Sequence, residues 1–406
     1  MSAYHPLNET EAIAIALTLT DVFPAGAALA SREIGDGNLN LVFHISDPAS
    51  GRSIIMKQAL PYAKVVGESW PLTLDRARIE SEALIQEGKL APGLVPKVYS
   101  YDADLALTIM EDLSDHVIMR RGLIEGGKYP LFAEHISTFL AQTLFFTSDL
   151  GMNQQDKKNR VRDFINPELC KITEDLIFDH PYTDADTNNF DEAIRDEAEA
   201  LWNDGPLQLE VALLREKFLT QAQALLHGDL HTGSIFITPD STKVIDPEFA
   251  YFGPIGFDIG AIIANLLTSF ASRGHWDTNE AARDDFRSYL LVMIRDLWTK
   301  FDIKFRALWE QHGVDRLAAA APGYKDDYML RLLRDTIGYA GSKIVRRIVG
   351  LAHVAEIGSI PDAAAREQAQ RLALAIGKSL IKLNRSATSI DELIHTAQTA
   401  AGSVKV

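Results

Sequence analysis

The period of apolar and polar positions changes along the chain. Residues 28–112 read as strands broken by one helix. Segments 28–34 and 41–46 carry Val, Ile and Phe around a Gly/Asn turn, and SIIMKQAL (53–60) makes a third strand. KVYSYD (97–102) and LALTIMED (105–112) add two more, split by a tight turn at Asp102–Asp104. Between them, residues 72–90 switch to the helical period. An earlier helix opens under an Asn8 or Thr10 cap and carries Ile13, Ile15, Ala16 and Leu19. From about residue 129 the helical period dominates, over 129–149, 166–178, 189–202 and 206–225. Gly, Pro and two short strand-like pieces, IFIT and KVID, interrupt it at 226–254. It resumes over 255–272, 277–302, 325–355, 363–384 and 389–402.

These patterns predict an α+β chain in two lobes. Residues 1–112 form a small N-terminal lobe, with a leading helix, a five-stranded antiparallel sheet and one main helix after strand three. Residues 113–406 form a larger α-rich lobe, joined by a hinge near Glu111–Ser114. There are no internal repeats and no low-complexity linker.

Length and composition narrow this further. A chain of 406 residues suits two to four compact units, and 47% hydrophobic with 24% charged residues excludes disordered and fibrous classes. The formal net charge of −16 makes nucleic acid or an anionic membrane a poor partner, while a small anion remains possible at a local basic cluster. Cys170 is the only cysteine, so no intrachain disulfide forms, and a reducing, cytoplasmic setting is expected. It sits in a helical run without a base beside it and reads as a buried inert thiol. The N-terminus carries Glu9 and Glu11 and no Lys or Arg before Arg32, which argues against a signal peptide. No apolar run reaches the length of a membrane span.

The chemistry concentrates in residues 225–260, LLHGDLHTGSIFITPDSTKVIDPEFAYFGPIGFDIG. Asp229 lies in a loop, and Asp246 follows a short hairpin. Phosphoryl transfer needs this pair: one carboxylate orients or accepts the proton of the attacking hydroxyl, and the other holds Mg²⁺ against nucleotide phosphates. Glu248 supplies a further oxygen on the same side of an extended segment. Oxygen ligands without a His/Cys cluster favour Mg²⁺ over zinc. Three acids in an apolar context make poor solvated surface. His227 and His231 read as histidines that pin the loop through their ring nitrogens.

The small lobe offers a complementary half. Gly35 and Gly37, with Asn40 where a third glycine of GxGxxG would fall, suit either a hairpin turn or a backbone cradle for phosphate. A dinucleotide-binding oxidoreductase is excluded because strand-like LNLVFHI, not a helix, follows Gly37. Lys57 sits in an apolar strand and needs anions, namely nucleotide phosphates and a helix glutamate. Glu80 shares an inward stripe with Thr73, Ala77 and Leu84, which makes it the preferred partner; Glu82 is the fallback. Trp70 and Pro71 lie in a loop before this helix, where an aromatic either lids a sugar site or anchors the loop. In GSKIVRRIVGLAHV (341–354), Lys343, Arg346 and Arg347 oppose a broad apolar face, as a solvated basic face or as an anion site.

HGDLHTGS followed by IDPE resembles the catalytic and metal loops of the small-molecule kinases related to aminoglycoside phosphotransferases. The resemblance implies a protein-kinase-like fold, with ATP and Mg²⁺ between the lobes under the 35–40 loop. It implies that backbone groups of Glu111 and Leu113 meet adenine, that Asp229 is catalytic and touches the acceptor, and that Asp246 and Glu248 hold the metal. Ser234 stands where most of that group carries an asparagine ligand; its hydroxyl would reach the ion or a water. Arg346 and Arg347 would face the sugar or transferred phosphate. The full strings HGDLHTGSIF and VIDPEFAYFGPIGFD sharpen the resemblance, which then implies phosphorylation of the C1 hydroxyl of 5-methylthioribose, in methionine salvage, by a homodimer. The alternatives are a kinase of the same fold acting on an aminoglycoside, choline or homoserine, and a nucleotide-binding scaffold without turnover. The paired arginines disfavour a cationic acceptor, and the intact Lys57, Asp229, Asp246 and Glu248 disfavour the scaffold.

Overall fold

The computed structural model describes residues 4–35, 39–63, 67–277 and 279–403, with side chains throughout except at residues 63 and 67–70. Gly37 lies outside the described residues, as does the side chain of Trp70.

The small lobe follows the predicted α+β order. Helix α1 (Glu9–Ala16) starts at Asn8, whose side chain accepts the Glu11 N–H while Glu11 reaches back, a reciprocal cap. Ala12 and Ala16 are its buried residues, so the inner face is narrower than Ile13, Ile15 and Leu19 suggest. Strands β1 (Ala30–Glu33), β2 (Asn40–Asp47) and β3 (Arg52–Ala59) come next. Then come β4 (Tyr62–Ala63), β5 (Gly67–Pro71), helix α2 (Asp75–Leu90), β6 (Val98–Asp102) and β7 (Leu107–Glu111). Five of these strands form one antiparallel sheet in the order β1-β2-β3-β7-β6. Trp70 and Pro71 belong to β5, paired with β4, rather than to an irregular loop; a pair this short leaves too little alternation to read from sequence.

Alternation along central β3 sets the geometry of the cleft. Ile54 and Met56 pack with Phe43, Ile45, Leu107 and Ile109 on the face covered by α1. Lys57, one position on, points to the opposite face, where α2 lies. It is flanked in register by Val42 of β2 and Thr108 of β7.

The connector leads to β8 (Val117–Ile118) and helix α3 (Met119–Ile124). Asp112 ties this connector to the small sheet: its carboxylate accepts the Ser53 hydroxyl at 2.6 Å and lies 3.0 Å from His44 Nε2. Helices α4 (Phe132–Phe146), α5 (Gln154–Asp163), α6 (Pro167–Phe178), α7 (Arg195–Trp202) and α8 (Gly205–Thr220) follow. The pattern over 189–202 places a helix start too early, since regular helix begins at Arg195. Helix α5, QQDKKNRVRD, is absent from the pattern reading because Val161 is its one apolar residue, too few to make a stripe.

Four short strands then frame the site: β9 (Ala224–Leu226), β10 (Ile235–Ile237), β11 (Thr242–Val244) and β12 (Tyr251–Gly253). Strand β10 pairs with β11 and β8, and β12 pairs with β9, all antiparallel. The remaining helices are α9 (Gly256–Trp276), α10 (Glu280–His312), α11 (Arg316–Ala320), α12 (Tyr324–Ile348), α13 (Ala355–Gly358), α14 (Ala363–Leu383) and α15 (Ile390–Ser403).

Helix α9 is buried from Gly256 to Arg273 and packs chiefly against α12. Gly260 permits that closeness: a Cβ there would lie 2.7 Å from the Thr336 carbonyl oxygen and 2.9 Å from the Ala340 nitrogen. Because those neighbours are backbone, Gly260→Ala is expected to push the helices apart and cost about 1–3 kcal/mol. Thermal unfolding would register this as a clear fall in melting temperature; an unchanged value would mean the pair separates freely.

Candidate active site

Two charged clusters meet where the lobes face each other. The first is built around Lys57. Its Nζ lies 2.8 Å from Glu80 Oε1 on α2 and also bonds Asp246 Oδ1. Glu82 instead pairs with Arg78 at 3.2 Å on the outer surface. Burial disfavours the Lys57 ammonium, but Asp246, Glu80 and Glu248 outweigh it and hold the group above its ordinary value. Burial pushes Glu80 up to about 7, against the pull of Lys57.

Asp246 follows β11 and adopts φ 72°, in the left-handed region. Aspartate tolerates that region better than most residues, and such outliers concentrate at functional sites. Its side chain remains 41% exposed, open to the cleft. Lys57 holds its carboxyl below the usual range, overcoming the effect of burial.

Glu248 is buried beside Arg76, whose Nε lies 3.2 Å from Oε2. Burial raises its carboxyl, and Asp246 adds to this. Asn40 donates to the same oxygen at 3.3 Å and accepts from Arg76 Nη2 at 2.8 Å. Asn40 thus starts β2 as part of a buried network. Gly35 ends the preceding described segment, and among the described residues nothing would lie within 4 Å of a Cβ there.

One carboxylate oxygen from each of Glu80, Asp246 and Glu248 lies within 4.8 Å of the others. An all-oxygen donor set of this kind, already gathered around one cation, Lys57, fits a hard divalent ion such as Mg²⁺.

The second cluster surrounds Asp229. Its loop is held from below by α9: Asp258 accepts the His227 N–H at 2.7 Å and the Gly228 N–H at 3.1 Å. His227 Nε2 lies 2.8 Å from the Ile245 carbonyl, fastening this loop to the one bearing Asp246. Gly228 has φ +85°, and a Cβ there would meet the Phe249 carbonyl oxygen at 2.1 Å, so no other residue fits.

Asp229 Oδ1 accepts from Lys343 Nζ at 3.0 Å, and Oδ2 lies 3.4 Å from His231 Nε2. Burial would raise this carboxyl, but Lys343, with His231 and Arg347, drives it well below the usual range. Burial pushes His231 down to about 4, so the ring is neutral near pH 7. Both Asp229 and Asp246 feel His231, which places the two clusters side by side.

Helix α12 carries Lys343, Arg346 and Arg347 at i, i+3 and i+4, hence on one face. Lys343 and Arg346 are buried and Arg347 is half-buried, so this is not a solvated basic face. Arg346 Nε is buried without a partner among the described residues. Arg347 Nη1 donates to the Ala352 carbonyl at 3.4 Å. Burial lowers both guanidiniums, Arg347 to about 9.

Ser234 lies buried in the loop that carries Asp229. Its hydroxyl donates to the Asp229 carbonyl at 3.3 Å and lies 3.1 Å from His231 Nδ1. Glu111 ends β7 with its carboxylate 3.3 Å from Lys243, and Leu113 is buried in the connector. Burial pushes the Cys170 thiol up to about 12, away from reactivity.

Sequence reasoning assigned no role to Arg76, Arg120, Asp258 or Glu356, and left Lys343 without a partner. Arg120 lies 3.2 Å from both Glu356 and Asn265, and Thr232 of the loop that carries Asp229 contacts both acceptors. Only Asp258 carried a usable signal, a lone acid within the apolar run PIGFDIGAII.

Among the described residues, no helix is long and apolar enough to cross a membrane. A solved aminoglycoside phosphotransferase from Alicyclobacillus acidocaldarius subsp. acidocaldarius overlaps the chain loosely, with a TM-score of 0.45 at 13% identity and 98% of each chain covered. "Methylthioribose kinase" of Geobacillus sp. (strain WCH70) is 51% identical, over 97% of this chain and 95% of that protein. The protein of the same name from Geobacillus kaustophilus (strain HTA426) is 52% identical, over 96% of each. Residues 31–300, which carry Lys57, Glu80, Asp229, Asp246 and Glu248 but not the basic residues of α12, match the model of the phosphotransferase enzyme family. With that match, and with identity above one half across nearly the whole chain, the protein belongs to the phosphotransferase enzyme family and, within it, to the methylthioribose kinases.

Proposed function

We propose that the chain transfers the γ-phosphoryl group of ATP to the C1 hydroxyl of 5-methylthioribose, giving 5-methylthioribose 1-phosphate and ADP in methionine salvage. The observation that carries this reading is the ionised Asp229, set among Lys343, Arg346 and Arg347 and beside the Lys57 cluster.

Lys57 holds the nucleotide phosphates, with Glu80 fixing its ammonium. Glu111 and Leu113 offer backbone groups to adenine, and Gly35, Gly37 and Asn40 bound the phosphate side. Asp246 and Glu248 are the residues to hold Mg²⁺, which when bound neutralises charge on the β- and γ-phosphates. Asp229 orients the C1 hydroxyl and takes its proton as the oxygen attacks the γ-phosphorus. The new O–P bond forms as the bond to the β-phosphate oxygen breaks, and ADP leaves with that electron pair. Arg346 and Arg347 stabilise charge on the moving phosphoryl group. The buried, unpartnered Arg346 Nε supports this, since such a donor is costly until an anion accepts from it. Trp70, in β5 shortly before α2, is the candidate lid over the sugar.

A coupled ADP-release assay across a panel of alcohols tests the reading. Release is expected with 5-methylthioribose and only background release with kanamycin, choline and homoserine. Release with one of those and none with the thiosugar would overturn it. Mg²⁺ dependence, a cytoplasmic location and a homodimer belong to the same reading; chelation and light scattering check the first and last.

A further inference from the structure

We propose that Lys343 is a positioning residue for this reaction, its buried ammonium fixing the Asp229 carboxylate against the acceptor hydroxyl. The inference rests on reading Asp229 as the group that receives the acceptor proton.

Lys343 is only 4% exposed, and an ammonium so placed is costly without an anion. Its one hydrogen bond among the described residues goes to Asp229 Oδ1. The Phe257 ring of α9 lies 4.5 Å from Nζ and closes the opposite side. The other charged groups facing it do not compete for that bond. Arg346 and Arg347 on its own helix repel it, and Asp258 of α9 is taken up by the His227 and Gly228 amides. The reverse holds for Asp229. Its second oxygen meets His231, a ring kept neutral near pH 7, and Arg347 acts from a greater remove. Lys343 is therefore the counter-charge in direct contact with Asp229, and it leaves Oδ2 available to the hydroxyl. Burial brings Lys343 down to about 8, so the bond is charge-assisted across the neutral range.

The test is Lys343→Met, which keeps length and apolar packing but removes the charge. Asp229 is 24% exposed, so water in the cleft can solvate the freed carboxylate, and a near-normal melting temperature is expected. The expected kinetic result is a kcat loss of about ten- to a hundredfold, below or at the lower end of what a whole general base contributes because Asp229 itself remains, with KM unchanged for both substrates. The acidic limb of the pH profile should move to higher pH, because Asp229 loses its nearest cation. A purely structural lysine would not shift that limb. Lys343→Gln retains an N–H without charge, so it should shift the limb likewise with a smaller loss; it carries the comparison if the Met variant does not fold.

A folded variant with wild-type kcat and an unmoved limb overturns the proposal. So does a raised sugar KM with kcat preserved, which would make Lys343 a substrate contact. Asp229→Ala assayed alongside separates the two levels. If it stays active, the reading of Asp229 fails; if it is inactive while Lys343→Met behaves as wild type, only the inference about Lys343 fails.

Discussion

Asp229→Ala is expected to abolish phosphoryl transfer while nucleotide still binds. Its carboxylate bonds Lys343 and lies against His231, whereas the proposed phosphate and metal groups, Lys57, Glu80, Asp246 and Glu248, bond one another and Arg76. Removing Asp229 therefore deletes the acceptor for the hydroxyl proton without dismantling the nucleotide half. A positioned general base contributes about 10²–10⁴-fold, and lost orientation of the hydroxyl adds to that. The substitution also leaves Lys343 buried without its partner, so Asp229→Asn serves as the shape-preserving control. ADP release measures turnover, and equilibrium titration with a non-hydrolysable ATP analogue measures binding. Near-wild-type turnover, or an analogue affinity that falls as steeply as kcat, would sink the assignment.

The division of labour behind that expectation is partly legible in the sequence. Strands β2, β3 and β7 read cleanly because one face is apolar and the other is not, and Lys57 stands out as a charge in such a strand. The acids at 229, 246 and 248 are legible for the same reason. Glu80 is separable from Glu82 by helical phase, since only Glu80 shares the inward stripe. What contacts Asp229 is not legible. Lys343 reaches it from 114 residues away, and nothing in the pattern of α12 distinguishes a basic face turned to water from one turned inward. That distinction depends on the packing of α12 against α9, set by backbone contacts at Gly256 and Gly260. Helix α5 escapes for a related reason: lacking an apolar stripe, it has no period to detect.

Arg76 shows the same limit and carries the largest expected effect on stability. It sits one position before Ala77 of the inward stripe of α2, where the pattern gives it no role, yet it is wholly buried. Its guanidinium donates to the carbonyls of Leu60, Thr73 and Leu39 at 2.8, 3.0 and 2.8 Å, and to Asn40 Oδ1 at 2.8 Å. The remaining Nε–H reaches Glu248 in the large lobe. One side chain thus binds the start of β2, the end of β3, the entry to α2 and a proposed metal ligand. Arg76→Ala removes the donor that these acceptors share and leaves Glu248 without its ion-pair partner. Breaking a buried pair from one side costs about 3–5 kcal/mol. Glu248, already pushed up by burial, would be pushed further in the same direction and would serve less well as a ligand. The expected outcome is a large fall in melting temperature together with weakened Mg²⁺·ATP saturation. Arg76→Lys decides whether charge or geometry matters. Lysine keeps the charge, but its three donors on a flexible stem do not match acceptors spread around a planar fork. It should therefore restore only a minor part of the stability. Full rescue by lysine, in melting temperature and in ATP saturation alike, would show that a bare positive charge suffices there and that the five-armed network is incidental.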